Sequence, residues 1–235
     1  MPTELNLLLL TAASIGFFHT LIGPDHYLPF IMMAKAGQWT YRKTLLVTFW
    51  CGIGHVAGSI ILGFIGIAIG VALNRLEFIE ALRGDIAVWI LIAFGLVYMT
   101  WGLRKALRNQ PHKHHHTHAD GKLHTHEHTH HDAHAHAHEK KASVTPWMLF
   151  VIFVLGPCEP LIPLLMYPAA MHNTAGILAV SLVFGVATVG TMLGIVALAY
   201  AGLKPVRASF VEKYMHAIAG FTIMLCGLAI QFLGL

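Results

Sequence analysis

The chain has 235 residues, 56% of them apolar and only 11% charged, with a net charge of +4. An ordinary soluble domain carries about 25% charged residues, and mean hydropathy here is +0.65. A disordered chain, a disulfide-stapled secreted domain and a conventional soluble enzyme are excluded, the charge is too small to argue for nucleic acid, and a polytopic membrane protein is expected.

The first apolar run, Leu5 to Ala34, opens with Glu4 rather than a basic segment and is expected to be a retained span, not a signal peptide. Gly23-Pro24 interrupts it. The second run is Thr44 to Leu73 and the third Ile86 to Leu107, with the charged residues Arg75, Glu77, Glu80, Arg83 and Asp85 expected in the loop between them. A polar insert follows, with 13 histidines between His112 and His138. The fourth run, Thr145 to Met171, is interrupted by Gly156-Pro157-Cys158-Glu159-Pro160; the fifth is Thr174 to Leu203 and the sixth Val211 to Leu235.

The expected fold is all-α, with six transmembrane helices as two inverted three-helix repeats, the first and fourth helices broken. Residues 1–107 form one half, 108–144 a disordered His-rich loop and 145–235 the other half. The repeat is seen at an offset of 133: Gly23-Pro24 maps onto Gly156-Pro157, Asp25 onto Cys158, His26 onto Glu159, Gly52 onto Gly185 and His55 onto Thr188. Paired Gly/Pro breaks in inverted halves point to a mid-membrane substrate site. Lys and Arg gather in the first, third and fifth connections. By the positive-inside tendency, both termini lie outside the inner membrane and the His-rich loop is cytoplasmic.

Ionisable residues inside a membrane cost a few kcal/mol each, so those in the spans carry the functional argument. His19, Asp25 and His26 fall within eight residues at the first break. Pro24 cannot donate to the carbonyl of Thr20, and the opened backbone could turn Asp25 towards the cavity of the two histidines. Imidazole with carboxylate suits divalent transition metals; a proton relay or a buried His–Asp pair is the alternative. His55 lies mid-span between Gly54 and Gly58, as a third imidazole or a packing histidine. Glu159, at the second break, is a ligand or proton carrier, with Cys158 and Thr188 as secondary candidates. Thr191 is expected to bond back to its own helix, and His172 and His216 to sit at span ends. In the insert His112, His114, His115, His116, His118, His124, His126, His128, His130, His131, His134, His136 and His138, interspersed with Asp and Glu, suit metal binding without fixed geometry.

On these motifs the chain resembles the nickel/cobalt permeases, most closely the NicO-type efflux branch. They are a His…Asp-His first span, a Gly-Xaa-Gly-His second span, a His-rich loop and a Gly-Pro-Cys-Xaa-Pro fourth span. The uptake permeases write the first motif with four residues between His and Asp; here five separate His19 from Asp25. The resemblance implies a secondary transporter of Ni(II) or Co(II), an exporter in that branch, with no enzyme activity and no permanently bound cofactor. Its partners are membrane lipid and the metal ions, with a homo-oligomer or a metallochaperone as further candidates. Uptake or delivery of metal for an enzyme such as urease is the alternative. More distant relatives carry electrons on thiols, one Cys per half, whereas Cys51, Cys158 and Cys226 do not match across the repeat. A sulfite-type anion exporter would want a fixed positive charge inside the spans, and none is expected there; the Lys and Arg residues sit at the ends of the runs.

Overall fold

In the computed structural model, residues 2–108, 112–117, 123–128, 144–202 and 209–233 are described. Helix α1 (Pro2–Ile22) leads through a 3-10 turn, Pro24–His26, into α2 (Leu28–Ala36). Helices α3 (Tyr41–Ala68) and α4 (Leu73–Arg108) complete the first half. Between the halves β1 (His112–Thr117) pairs antiparallel with β2 (Leu123–His128), setting His112 opposite His128, His114 opposite His126 and His116 opposite His124. The pattern alone points to a disordered insert, but these two segments form a ladder. His118, His130, His131, His134, His136 and His138 lie outside the described residues. The second half is α5 (Val144–Leu155), α6 (Leu161–Ala170), α7 (Thr174–Gly202) and α8 (Ser209–Leu233).

Among the described residues, five helices are long and apolar enough to cross a membrane: Thr3–Ile22, Tyr41–Ala68, Leu73–Arg108, Thr174–Gly202 and Val211–Leu233. Large apolar side chains face outward along them, including Ile61, Trp89, Leu182 and Leu198, as lipid-facing surfaces do. The chain is an integral multi-pass membrane protein. The fourth run forms two short helices, α5 and α6, either side of the second break. The expected loop between the second and third runs is corrected. Helix α4 starts at Leu73 and carries Arg75 to Asp85 within its first turns. Hydropathy cut the run there because it scores each charge alone, whereas Glu80 and Arg83 lie three residues apart and pair at 2.8 Å.

Each half is thus a broken helix followed by two long ones. Several packing pairs correspond between the halves: α1–α7 with α5–α3, α2–α8 with α6–α4, and α2–α3 with α6–α7, while α3–α7 and α4–α8 pair directly; α4–α5 and α3–α4 are packing pairs of one half only. Glycines permit the close crossings. A Cβ on Gly220 would strike the backbone of Met99 on α4, and one on Gly54 would meet Val154 of α5 at 2.7 Å. Two apolar clusters fill the interior, one including Cys51, Phe153 and Met192 and the other Val56, Cys158 and Val189. His55 sits on α3 between Cys51 and Val56, so a thin polar layer separates two dry ones.

Candidate metal centre

The first break is built by its backbone. Gly23 N–H still donates to His19 O at 3.0 Å, closing α1, and Gly23 then turns extended with φ −78° and ψ 99°. Pro24 opens the 3-10 turn, and His26 N–H donates to Gly23 O at 3.2 Å. A Cβ on Gly23 would lie 2.7 Å from His26 Nδ1 and 2.8 Å from Asp25 Oδ1, so this position has no room for a side chain. The turn folds the His26 ring against His19, centroids 4.9 Å apart, and against His55 of α3, centroids 5.1 Å apart.

His19, His26 and His55 each offer a nitrogen within 4.8 Å of those of the other two. His26 and His55 are buried, both 3% exposed. The Nε2 atoms of all three are buried and lack a hydrogen-bond partner. The opposite nitrogens of two are held: His26 Nδ1 lies 3.0 Å from Asp25 Oδ1 and 3.1 Å from Gly23 O, and His55 Nδ1 lies 3.3 Å from Phe153 O. Since a carbonyl or carboxylate only accepts, each Nδ1 carries the proton and each Nε2 presents its lone pair inward. This is how a metal-binding histidine is oriented, by a carboxylate or carbonyl behind it. Leaving the three buried Nε2 atoms unmatched costs about 1–3 kcal/mol each, and one cation would satisfy all three once His19 takes the same tautomer as His26 and His55. Metal–nitrogen bonds of about 2.0–2.1 Å put tetrahedral nitrogens roughly 3.4 Å apart, so the rings need close by little more than 1 Å.

The site lies at mid-height of α3. His55 is about 20 Å from either end of that helix at 1.5 Å per residue. Although α1 is long enough to cross alone, its last turn meets His55 at this level, so the first break lies beside the middle of α3.

The second break reaches the same histidine from behind. A Cβ on Gly156 would lie 3.1 Å from His55 Nδ1. Gly156 O accepts from Arg83 Nη2 at 3.1 Å, Ser59 Oγ accepts from the same nitrogen at 2.6 Å, and Cys158 N–H donates to Ser59 Oγ at 3.0 Å. Sequence reading missed Arg83, Glu80 and Ser59. The i,i+3 spacing of Glu80 and Arg83 was the available signal. Arg83 also corrects the expectation that no fixed positive charge lies within the spans. Ser59 is one turn of α3 from His55, about 6 Å along the axis, which places the Arg83 guanidinium within about one helical turn of the His55 level.

The other candidates are placed as follows. Asp25 is 31% exposed and contacts His26 rather than joining the imidazole cluster. Glu159 is exposed and apart from the cluster. Cys158 is fully buried in the second break. Thr188 Oγ1 is buried and unpartnered, facing the position of Gly16 on α1, while Thr191 bonds back to Ala187 O at 2.7 Å. His172 is exposed in the turn before α7, at φ 49°. His216 ties α8 to α4 through Tyr98 OH at 2.8 Å and Lys105 Nζ at 3.1 Å.

Residues 28–229 match the family described as the cytochrome c biogenesis protein transmembrane region. The chain belongs to that family. No curated protein and no solved structure matches it. The family assignment overturns the resemblance to NicO-type nickel/cobalt efflux proteins. Gly-Pro breaks and intramembrane glycines recur wherever broken helices pack in two halves, so they identified an architecture rather than a family. The match begins at Leu28, so His19, Asp25 and His26 precede the matched region, and His55, Glu80, Arg83 and Cys158 fall inside it.

Proposed function

We propose that this chain is a membrane carrier for a divalent transition-metal ion, held at mid-membrane by His19, His26 and His55. The observation that carries the reading is one ring nitrogen from each of three histidines within 4.8 Å of one another, with the Nε2 atom of each ring buried and without a partner. Three imidazoles and no thiolate suit borderline ions such as Ni(II), Co(II) or Zn(II). Asp25, behind His26, offsets part of the ion's charge. The two broken helices, α1–α2 and α5–α6, each act as one crossing, giving six crossings in two inverted halves. The His-rich segment collects ions on the cytoplasmic face, which makes export the direction. Transport is tested with the full chain in vesicles enclosing a metal-sensitive dye. Co(II) should enter with the wild type and fail to enter with His55→Ala; equal entry with both would remove the reading.

The family match supports a second reading, a thiol-redox carrier. Cys158 sits at the second break, where the repeat sets it opposite Asp25. Two-electron exchange needs two sulfurs that can reach about 2.05 Å. Cys51, Cys158 and Cys226 are free and buried, and Cys51 and Cys158 belong to different apolar clusters. The metal reading is therefore preferred. Loss of transport in a Cys158→Ser variant that keeps its Co(II) binding would favour the second.

A further inference from the structure

Glu80 is 1% exposed inside α4. Both of its carboxylate oxygens are buried with no hydrogen-bond partner, and Oε2 lies 2.8 Å from Arg83 Nη2 as an ion pair. Arg83 Nη2 carries two N–H groups, which bond Ser59 Oγ at 2.6 Å and Gly156 O at 3.1 Å, while Glu80 Oε2 stands 2.8 Å from the same nitrogen as an ion pair without a hydrogen bond. Arg83 Nε is also buried without a partner, so the pair is under-satisfied on both sides. The longer of the two hydrogen bonds is the one to Gly156, which backs His55. The charged groups facing Glu80 are Arg83 on its own helix and Glu159 at the second break, with the Ser59 hydroxyl from α3 and the Cys158 thiol beside them.

We propose that Glu80 is a proton-binding site within the membrane, coupled through Arg83 to the second break. A proton arriving from water binds Glu80 and cancels its charge. Arg83 Nη2 then keeps Ser59 and Gly156 as acceptors with no carboxylate charge pulling on it, and the second break is clamped beside His55. When the proton leaves, the carboxylate draws the guanidinium back and Gly156 O is released. The pair links protonation to the shape of the wall behind the His55 ring, so the coupling ion is a proton. This role in coupling rests on the metal-carrier reading; the protonation of Glu80 stands without it.

The experiment has two arms on the full chain in lipid vesicles. In the first, infrared difference spectra between acid and alkaline pH are recorded without metal. A carboxylic-acid carbonyl band is expected in the wild type, retained but shifted in Glu80→Asp and lost in Glu80→Gln. A band unchanged in Glu80→Gln overturns the proposal, whatever the protein carries. In the second, Co(II) entry is followed with a pH-sensitive dye. Wild-type entry should change by up to about tenfold per pH unit, the limit for one titrating group, and should move protons. Glu80→Gln, which mimics the protonated state, should still bind Co(II) but lose both effects, and Glu80→Asp should restore them. Proton movement unaltered in Glu80→Gln overturns the coupling. If no variant moves Co(II) while the infrared band behaves as stated, the carrier reading fails and the proton site stands.

Discussion

Asp25→Asn tests how the first break holds its ion. The substitution keeps the size of the side chain and removes its charge. His26 Nδ1–H retains Gly23 O as an acceptor at 3.1 Å, besides the carboxylate at 3.0 Å, so the ring keeps its place and the loss is mainly electrostatic. Across the imidazole the carboxylate stands roughly 7 Å from an ion on Nε2. At an effective dielectric of about 20, a single charge there is worth at most about 5 kcal/mol against a divalent ion. Asp25 is 31% exposed, so solvent screening reduces that ceiling. Removing the carboxylate behind a metal-binding histidine costs about 10- to 100-fold in affinity, which is about 1.4–2.7 kcal/mol and sits below the ceiling. Equilibrium dialysis of purified protein against Co(II) should show that loss with thermal stability nearly unchanged. An affinity within about twofold of the wild type, less than 0.5 kcal/mol, would mean that Asp25 does not act on the ion through His26.

Ser59→Ala removes the acceptor for Arg83 and for Cys158 N–H. A buried unpaired N–H costs about 1–3 kcal/mol, so a detergent melting curve should shift down, and an unchanged curve would show the second break is held otherwise. Replacing Cys51, Cys158 and Cys226 together by Ala should leave Co(II) binding within about threefold of the wild type, a difference below 1 kcal/mol; abolished binding would place a thiol in the site. Gly220→Val should prevent α4 and α8 from meeting, because a Cβ there already strikes Met99 backbone. It should appear as loss of folded protein by size-exclusion chromatography, and a normal profile would contradict the crossing.

Much of the fold was readable because lipid imposes a simple rule on composition. The long helices α3, α7 and α8 end within a few residues of the apolar runs that announced them, and Gly-Pro marked both breaks. His19, His26 and His55 were each visible as ionisable residues in apolar runs. Their convergence was not visible, since His55 meets Phe153 across 98 residues of sequence and no local period encodes that. Glu159 was misjudged because a broken helix has no periodicity to say which way a side chain faces. Arg83 and Glu80 were assigned to a loop because a charge pair buried by its own helix looks, residue by residue, like exposed charge. The family escaped because the motifs used to infer it belong to the architecture.

The central claim is tested most directly by titrating purified full-length protein with Co(II) and reading its visible absorption, which reports ligand type and geometry. To remove the contribution of the insert, its histidines from His112 to His138 are replaced by Ser. The account predicts one tightly bound ion per chain with a nitrogen-ligand spectrum, lost in each of His19→Ala, His26→Ala and His55→Ala. A spectrum that persists in all three variants, or one that carries a thiolate band and disappears only with Cys158→Ser, would contradict it.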